Sequence, residues 1–356
     1  MVGQGDKGTG GNYMKILYLE HPEEDKGSYF LFSGLCEILG DKNVITFPLK
    51  KIYYGEIASD YILDDGMTGF TAPPEYIVPR GKVSMRLDEI LNNMEDFDFI
   101  VLASPRTYAI NALRSIMDIF NRKLPVPLIM CDNQDGDDIR TDLIDEFKPA
   151  VLFKRELIKG KEHSYKGQKI YPLPFSAAIN SFPQIDDMQK EYDMFGLFGY
   201  THALRKELVI FLLNNYGDNN IYIGIDTDLP ADIDKLKKNK IGYQEYLKKI
   251  AKSKIAFSIR GFGRDTVRAW EVCYYETCMF YCQPGIEIPY DFKAGRHAVH
   301  FKDDFSDLKQ KIDYYLSHDD ERVAIAKAGK EHLLKYHTNK ARAEYFLSIL
   351  EQEEVI

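Results

Sequence analysis
Short apolar runs alternate with amphipathic stretches along almost the whole chain. From Met14, MKILYLEH reads as a strand, PEEDKG as a turn, and Ser28–Leu39 as a helix with apolar residues at helical spacing. Val44–Phe47 is a second strand. Val83–Met94 reads as a helix, DFDFIVLAS as a strand, Thr107–Phe120 as a helix, VPLIMCD as a strand, Asp137–Glu146 as a helix and AVLFK as a strand. The stretch from Lys50 to Pro79, rich in Tyr, Gly, Asp and Pro, breaks the pattern and reads as an excursion. Near-continuous apolar strands separated by helices imply a parallel sheet with crossover connections.

The alternation stops at Tyr171–Lys190, which carries three prolines and little periodicity, and then restarts. YDMFGLFG is a strand with a glycine exit, HALRKELVIFLLNN a helix, NIYIGI a strand and YQEYLKKIAK a helix. The chain closes with strand Ala298–Phe301 and helices Asp304–Leu316, Asp320–Tyr336 and Asn339–Glu351. The expected fold class is α/β, with two Rossmann-like domains facing across a cleft. Its expected parts are a disordered glycine-rich leader over 1–13, an N-terminal domain over 14–175, a linker over 176–190 and a C-terminal domain over 191–356 that includes the terminal helices. At 356 residues, two cores are the natural expectation.

The second series contains the densest chemistry. In IAFSIRGFGRDTVRAWEVCYYETCMFYCQ, a strand ends at Arg260, Gly261-Phe262-Gly263 forms a loop, and Asp265 or Thr266 is placed to cap a helix. Arg260, Arg264 and Arg268 around that helix start suit a phosphate or diphosphate. Glu271, three residues beyond Arg268, shares its helix face and suits ribose hydroxyls. A ligand of this kind sits at the C-terminal edge of a parallel sheet.

In the first series, His21 follows the first strand where a general base would face the cleft. The group Asp132, Asp135, Asp137 and Asp138 reads either as a turn and helix cap or as a site for a divalent cation or acceptor hydroxyls, with Asp132 best placed at its strand end. No G-x-G-x-x-G follows the first strand, which argues against a dehydrogenase.

Composition narrows the classes. The net charge of −9 argues against general nucleic-acid binding. No apolar run approaches the ~20 residues of a membrane span, although peripheral association remains compatible with the sequence. Five scattered cysteines, an odd number, fit a reducing compartment and a cytoplasmic location.

Three segments resemble the glycosyltransferase domain of CgeB-type spore-maturation proteins, a branch of the GT-B glycosyltransferases. They are FGLFGYTHALRKEL, RGFGRDTVRAWEVCYYETCMF, and DLKQKIDYYLSHDDERVAIAKAG followed by YHTNKARAEYFL. The order of strand, loop, Arg and helical Glu also resembles exostosin-like transferases, and the N-terminal half is similar to the acceptor-side domain more loosely. The resemblance implies transfer of a sugar from a nucleotide-diphosphate donor to an acceptor, without metal or other cofactor. It implies that Glu271 binds the donor ribose and that Arg268 with Arg264 or Arg260 holds the diphosphate. Gly199, Thr201 and Arg205 would form a second phosphate-facing loop, with Gly263 and Thr266 in the first. Many retaining members carry a Glu-x7-Glu pair whose second member matches Glu271, but the position eight residues earlier is Gly263. Retention or inversion therefore stays open. So do a sugar-nucleotide epimerase or phosphorylase on the same architecture and a non-catalytic nucleotide-sugar-binding partner.

Overall fold
The computed structural model describes residues 14–22, 25–48 and 86–356. The glycine-rich leader, the excursion from Lys50 to Pro79 and the first residues of the expected 83–94 helix lie outside the described residues.

The first sheet contains β1 (Ile16–Leu19), β2 (Val44–Phe47), β3 (Phe99–Leu102), β4 (Leu128–Asp132), β5 (Val151–Lys154), β6 (Ser164–Tyr165) and β7 (Gln168–Pro172), in the order β2-β1-β3-β4-β5-β7-β6. All its pairings are parallel except the β6–β7 hairpin, whose sequence carries no strong apolar alternation. Helices α1 (Lys26–Leu39), α2 (Leu87–Asn92), α3 (Thr107–Ile119) and α4 (Thr141–Phe147) provide cover. The apolar strands have two buried faces because successive side chains point to opposite sides. Ile16, Tyr18, Phe99, Val101, Ile129 and Phe153 pack on one face, while Leu17, Leu19, Ile100, Leu102, Met130 and Leu152 pack on the other.

The second sheet is fully parallel, in the order β12-β11-β10-β8-β9. Its strands are β8 (Tyr192–Phe198), β9 (Ile221–Ile225), β10 (Ser253–Ser258), β11 (Cys278–Cys282) and β12 (Val299–Phe301). With them come α5 (Ala203–Tyr216), α6 (Tyr243–Ala251), α7 (Arg268–Tyr274), α8 (Leu308–Ser317), α9 (Asp319–Tyr336) and α10 (Asn339–Gln352). In each sheet the first strand is flanked by the second on one side and the third on the other. Connections leaving the first and third strands run in opposite directions, so a crevice opens at their C-terminal ends: between β1 and β3 in one domain, and between β8 and β10 in the other.

Helix α10 departs from the expected grouping with the C-terminal domain. Its Ala343, Phe346, Ile349 and Leu350 complete the core beneath β1, β3 and β5, with the Phe346 ring 4.8 Å from that of Phe153. Periodicity defines an apolar face but not which domain receives it. The chain thus crosses between domains twice, and the crossings touch: Ala177 N donates to His337 O at 2.7 Å and Asn339 N to Ala177 O at 3.1 Å. A further seam joins 157–159 to 285–287, where Glu287 N donates to Leu157 O and Lys159 N to Gly285 O.

Candidate functional site
The crevice between β8 and β10 holds a group of arginines. Past Phe198 the chain turns through Gly199, Tyr200 and Thr201 into α5, where His202 is the N-cap and its Nδ1 accepts from Leu204 N at 3.2 Å. Arg205, on the first turn of α5, ties the two strand exits together. Its Nε donates to Arg260 O at 2.9 Å, Nη1 to Thr201 Oγ1 at 2.9 Å and to Gly199 O at 3.3 Å, and Nη2 reaches Ile259 O at 3.4 Å. The loop approaches closely enough that a Cβ at Gly261 would lie 2.9 Å from Arg205 Nη2.

Arg268 enters the same region from α7. Its Nε donates to Tyr246 Oη at 2.7 Å and Nη2 to Leu197 O at 2.6 Å, and its guanidinium lies 4.4 Å from the centre of the Phe198 ring. Arg260 Nη2 donates to Phe262 O at 3.2 Å, and Arg264 Nη1 to Pro284 O at 3.2 Å. Among the described residues none of these four arginines is ion-paired; their partners are carbonyls and hydroxyls. Arg260 Nε and Arg268 Nη1 are buried with no hydrogen-bond partner among the described residues. Burial, followed by the neighbouring Arg268, pulls Arg205 down to about 9, and burial with Arg264 lowers Arg260. Burial, then Arg260 and Arg205, also lowers the His202 imidazole. Like charges gathered out of water lose free energy that a bound anion would restore.

Glu271 lies beside this group on α7, 4% exposed. Its oxygens accept from Tyr243 Oη at 2.9 Å and Tyr246 Oη at 3.2 Å, both on α6. Burial raises its carboxyl, while Arg268 and the Tyr243 hydroxyl oppose the rise. Lys26, at the start of α1 in the other domain, acts on it across the cleft in the same direction as Arg268. Phe262 stands 74% exposed at the tip of the loop between Arg260 and Arg264, and Tyr200 is partly exposed on the neighbouring turn.

Two local expectations change. Neither Asp265 nor Thr266 caps α7: the N-cap is Val267 without a side-chain cap, Asp265 Oδ2 accepts from Phe175 N at 2.5 Å, and Thr266 Oγ1 lies 3.3 Å from Ser258 Oγ. The amides of Arg264 and Asp265, which a phosphate would have used, both donate to Glu156 of the N-terminal domain. The arginine side chains, rather than those amides, are what the crevice offers an anion. No pattern in the sequence pointed to Glu156, two residues beyond β5, or to Tyr243 and Tyr246. The tyrosine spacing of three residues on a helix was the available signal.

On the facing domain, His21 follows β1 and Glu20, with its ring edge-on to Tyr108 at 6.3 Å. Asp132 sits buried at the end of β4, but Lys154 Nζ holds its carboxylate at 3.0 Å and Gln134 N donates to it at 3.1 Å. Asp135 pairs with Arg155, and Asp137 with Lys161 at 3.6 Å. Three of the four acidic residues are thus paired with three different cations, and no cluster of three His, Cys, Asp or Glu able to hold a metal occurs among the described residues. No helix among them is long and apolar enough to cross a membrane.

Two doubly wound sheets facing across a cleft, with the C-terminal helix returned to the first domain, match solved structures over almost their full length. A glycosyltransferase from Rickettsia africae aligns with a TM-score of 0.62 at 11% identity, covering 96% of this chain and 99% of that one. Anabaena Alr3699/HepE in complex with UDP-glucose aligns with a TM-score of 0.59 at 10% identity, covering 95% and 100%. The fold is GT-B. Sucrose-phosphate synthase from Thermosynechococcus elongatus shares it, with a TM-score of 0.56 at 9% identity and coverage of 95% and 98%. Residues 208–348 match the model of a family described as glycosyl transferase-like, a segment that contains Arg260, Arg264, Arg268 and Glu271. No curated protein matches the chain by sequence.

Proposed function
We propose that this protein is a glycosyltransferase that moves a sugar from a nucleotide-diphosphate donor to an acceptor hydroxyl. The observation that carries the reading is the group of four arginines without ion-pair partners among the described residues at the crevice between β8 and β10. Its position within a GT-B cleft and the family match over 208–348 support it. In this reading Arg205, Arg260, Arg264 and Arg268 bind the diphosphate. Gly199, Thr201, Gly263 and Thr266 form the loops that approach it, and Glu271 meets the ribose. Preorganised guanidinium groups stabilise charge as the nucleoside diphosphate leaves, the step on which such transfer depends. They stand where other enzymes use a metal, so activity is expected to survive a chelator.

His21 is the proposed base on the acceptor side. Asp132 is the weaker of the two catalytic candidates, because Lys154 already neutralises it. The CgeB-type branch remains the finer family assignment we favour, with a cytoplasmic location. UDP is the first nucleotide to test, since the Anabaena protein was solved with UDP-glucose. The commitment of the Arg264 and Asp265 amides to Glu156 favours one second reading, a nucleotide-sugar-binding partner without turnover.

The test is a thermal-shift series with UDP, GDP, dTDP, ADP and CMP on wild type and on Arg205→Ala. A ligand at about 100 times its dissociation constant adds roughly 2.7 kcal/mol to stability. A shift with one diphosphate that disappears in the variant supports the donor site. No shift with any nucleotide overturns it. Binding without release of nucleotide from a matching sugar donor, across a panel of acceptors, favours the second reading.

A further inference from the structure
Glu156 is fully buried where the two domains meet, at the cleft end of the 157–159 seam. Its Oε1 accepts from the Arg264 amide at 2.8 Å and the Asp265 amide at 3.0 Å, both in the C-terminal domain. Its Oε2 accepts from the Gly136 amide at 2.9 Å, in its own domain. Arg155 Nη2 lies 3.1 Å from Oε1, and the Arg155 guanidinium lies 4.4 Å from the centre of the Phe175 ring, just before the linker. A Cβ at Gly263 would stand 2.6 Å from Glu156 Oε1, so the loop packs against this carboxylate with no room for a side chain.

We propose that Glu156 is a positioning residue through which the N-terminal domain shapes the anion site of the C-terminal domain. The proposal rests on the donor-site reading above. A loop built on Gly261 and Gly263 has much backbone freedom to lose, and charge-assisted bonds from a buried carboxylate are strong enough to hold it. Arg260, Phe262 and Arg264 ride on that loop. Rotation of one domain against the other near the linker is therefore passed to the arginines through the Glu156 carboxylate, which bonds two consecutive amides of the loop.

Glu156→Gln tests this sharply, because both Glu156 oxygens accept from N–H groups and an amide must turn its NH2 toward one of them. The control is Glu287→Ala, which removes the acceptor of the Gly160 amide from the same seam without touching the loop. Hydrogen–deuterium exchange of peptides spanning 260–266 is measured on the full chain, together with calorimetric titration of the nucleoside diphosphates. The expected result is exchange at 260–266 faster by about tenfold or more in Glu156→Gln and nucleotide affinity weaker by about tenfold, with neither change in Glu287→Ala. Unchanged exchange in Glu156→Gln, or equal losses of affinity in both variants, overturns the proposal. A wild type that binds none of the nucleotides removes the donor-site reading, and with it the claim that Glu156 serves an anion site. The exchange result then still decides whether Glu156 holds the loop.

Discussion

Arg205 concentrates the chemistry of the crevice between β8 and β10 in one side chain. Its guanidinium reaches three backbone carbonyls and one hydroxyl across two loops and forms no ion pair among the described residues. A lysine keeps the charge but offers one ammonium in place of a planar fork, so it cannot span both strand exits. Arg205→Lys should therefore weaken nucleoside diphosphate binding about 10- to 100-fold by calorimetry while leaving most of the melting temperature intact. Affinity equal to wild type would show that the anion, if one binds, is held elsewhere. The two tyrosines on Glu271 make a second residue-scale case. Tyr243→Phe leaves a buried carboxylate oxygen without its donor, which costs about 1–3 kcal/mol. Since that hydroxyl holds the Glu271 carboxyl down, its loss should raise the carboxyl further. Denaturant unfolding of Tyr243→Phe and of a Tyr243→Phe, Glu271→Gln pair tests the coupling: the tyrosine substitution should cost much less in the second background.

At the scale of elements, the strands and most helices were legible because each repeats one pattern that burial enforces. Ile16–Leu19 and Phe99–Leu102 are apolar on both faces because helices cover both sides, and Ala203–Tyr216 follows directly from the glycine exit of its strand. What periodicity hides is the partner. Helix α10 has a good apolar face, yet only the structure reveals that α1 of the other domain receives it. Gly34 is the local trace of that contact, since a Cβ there would lie 2.0 Å from Asn339 O, a backbone atom that cannot step aside. Gly34→Ala should therefore destabilise the protein by about 1–3 kcal/mol through overpacking. Phe346→Ala should cost about 3–5 kcal/mol, although it lies far from the N-terminal core in sequence. Both are measured by denaturant midpoint, and a Gly34→Ala protein as stable as wild type would contradict the close helix contact. The site was legible in its charges and not in their use. Three arginines around Gly261 and Gly263 pointed to an anion, but the capping of that loop by Glu156 depends on a tertiary contact 108 residues away.

For the whole molecule, a set of buried and half-buried imidazoles near the second domain crossing makes stability depend on pH. His297 and His332 stack with centroids 3.9 Å apart, His337 stacks on Trp270 at 4.7 Å, and Tyr290 O is the shared partner of His332 Nε2 and His337 Nε2. Burial is the first cause lowering all three, with His297 at about 4, and His300 on β12 is also held at about 4. A histidine whose folded pKa is depressed binds fewer protons folded than unfolded. Its contribution is full above the unfolded value of 6.5 and declines as pH falls toward about 4. Asp265 acts in the opposite sense: burial raises it to about 6, so its contribution is full below the unfolded carboxylate value and is lost as pH rises through about 6. Between pH 7 and pH 5 the four imidazoles begin to titrate in the unfolded chain, whereas Asp265 recovers only part of its contribution because its unfolded carboxyl is still ionised. The net direction is a fall in stability on acidification. Melting temperature should decline from pH 7 to pH 5, and His297→Gln, which removes one of these groups without adding charge, should make the decline shallower. A melting temperature that stays level or rises over that interval would mean that Asp265, Glu271 and Asp291, whose carboxyls burial raises, outweigh the histidines at the junction where both domains meet.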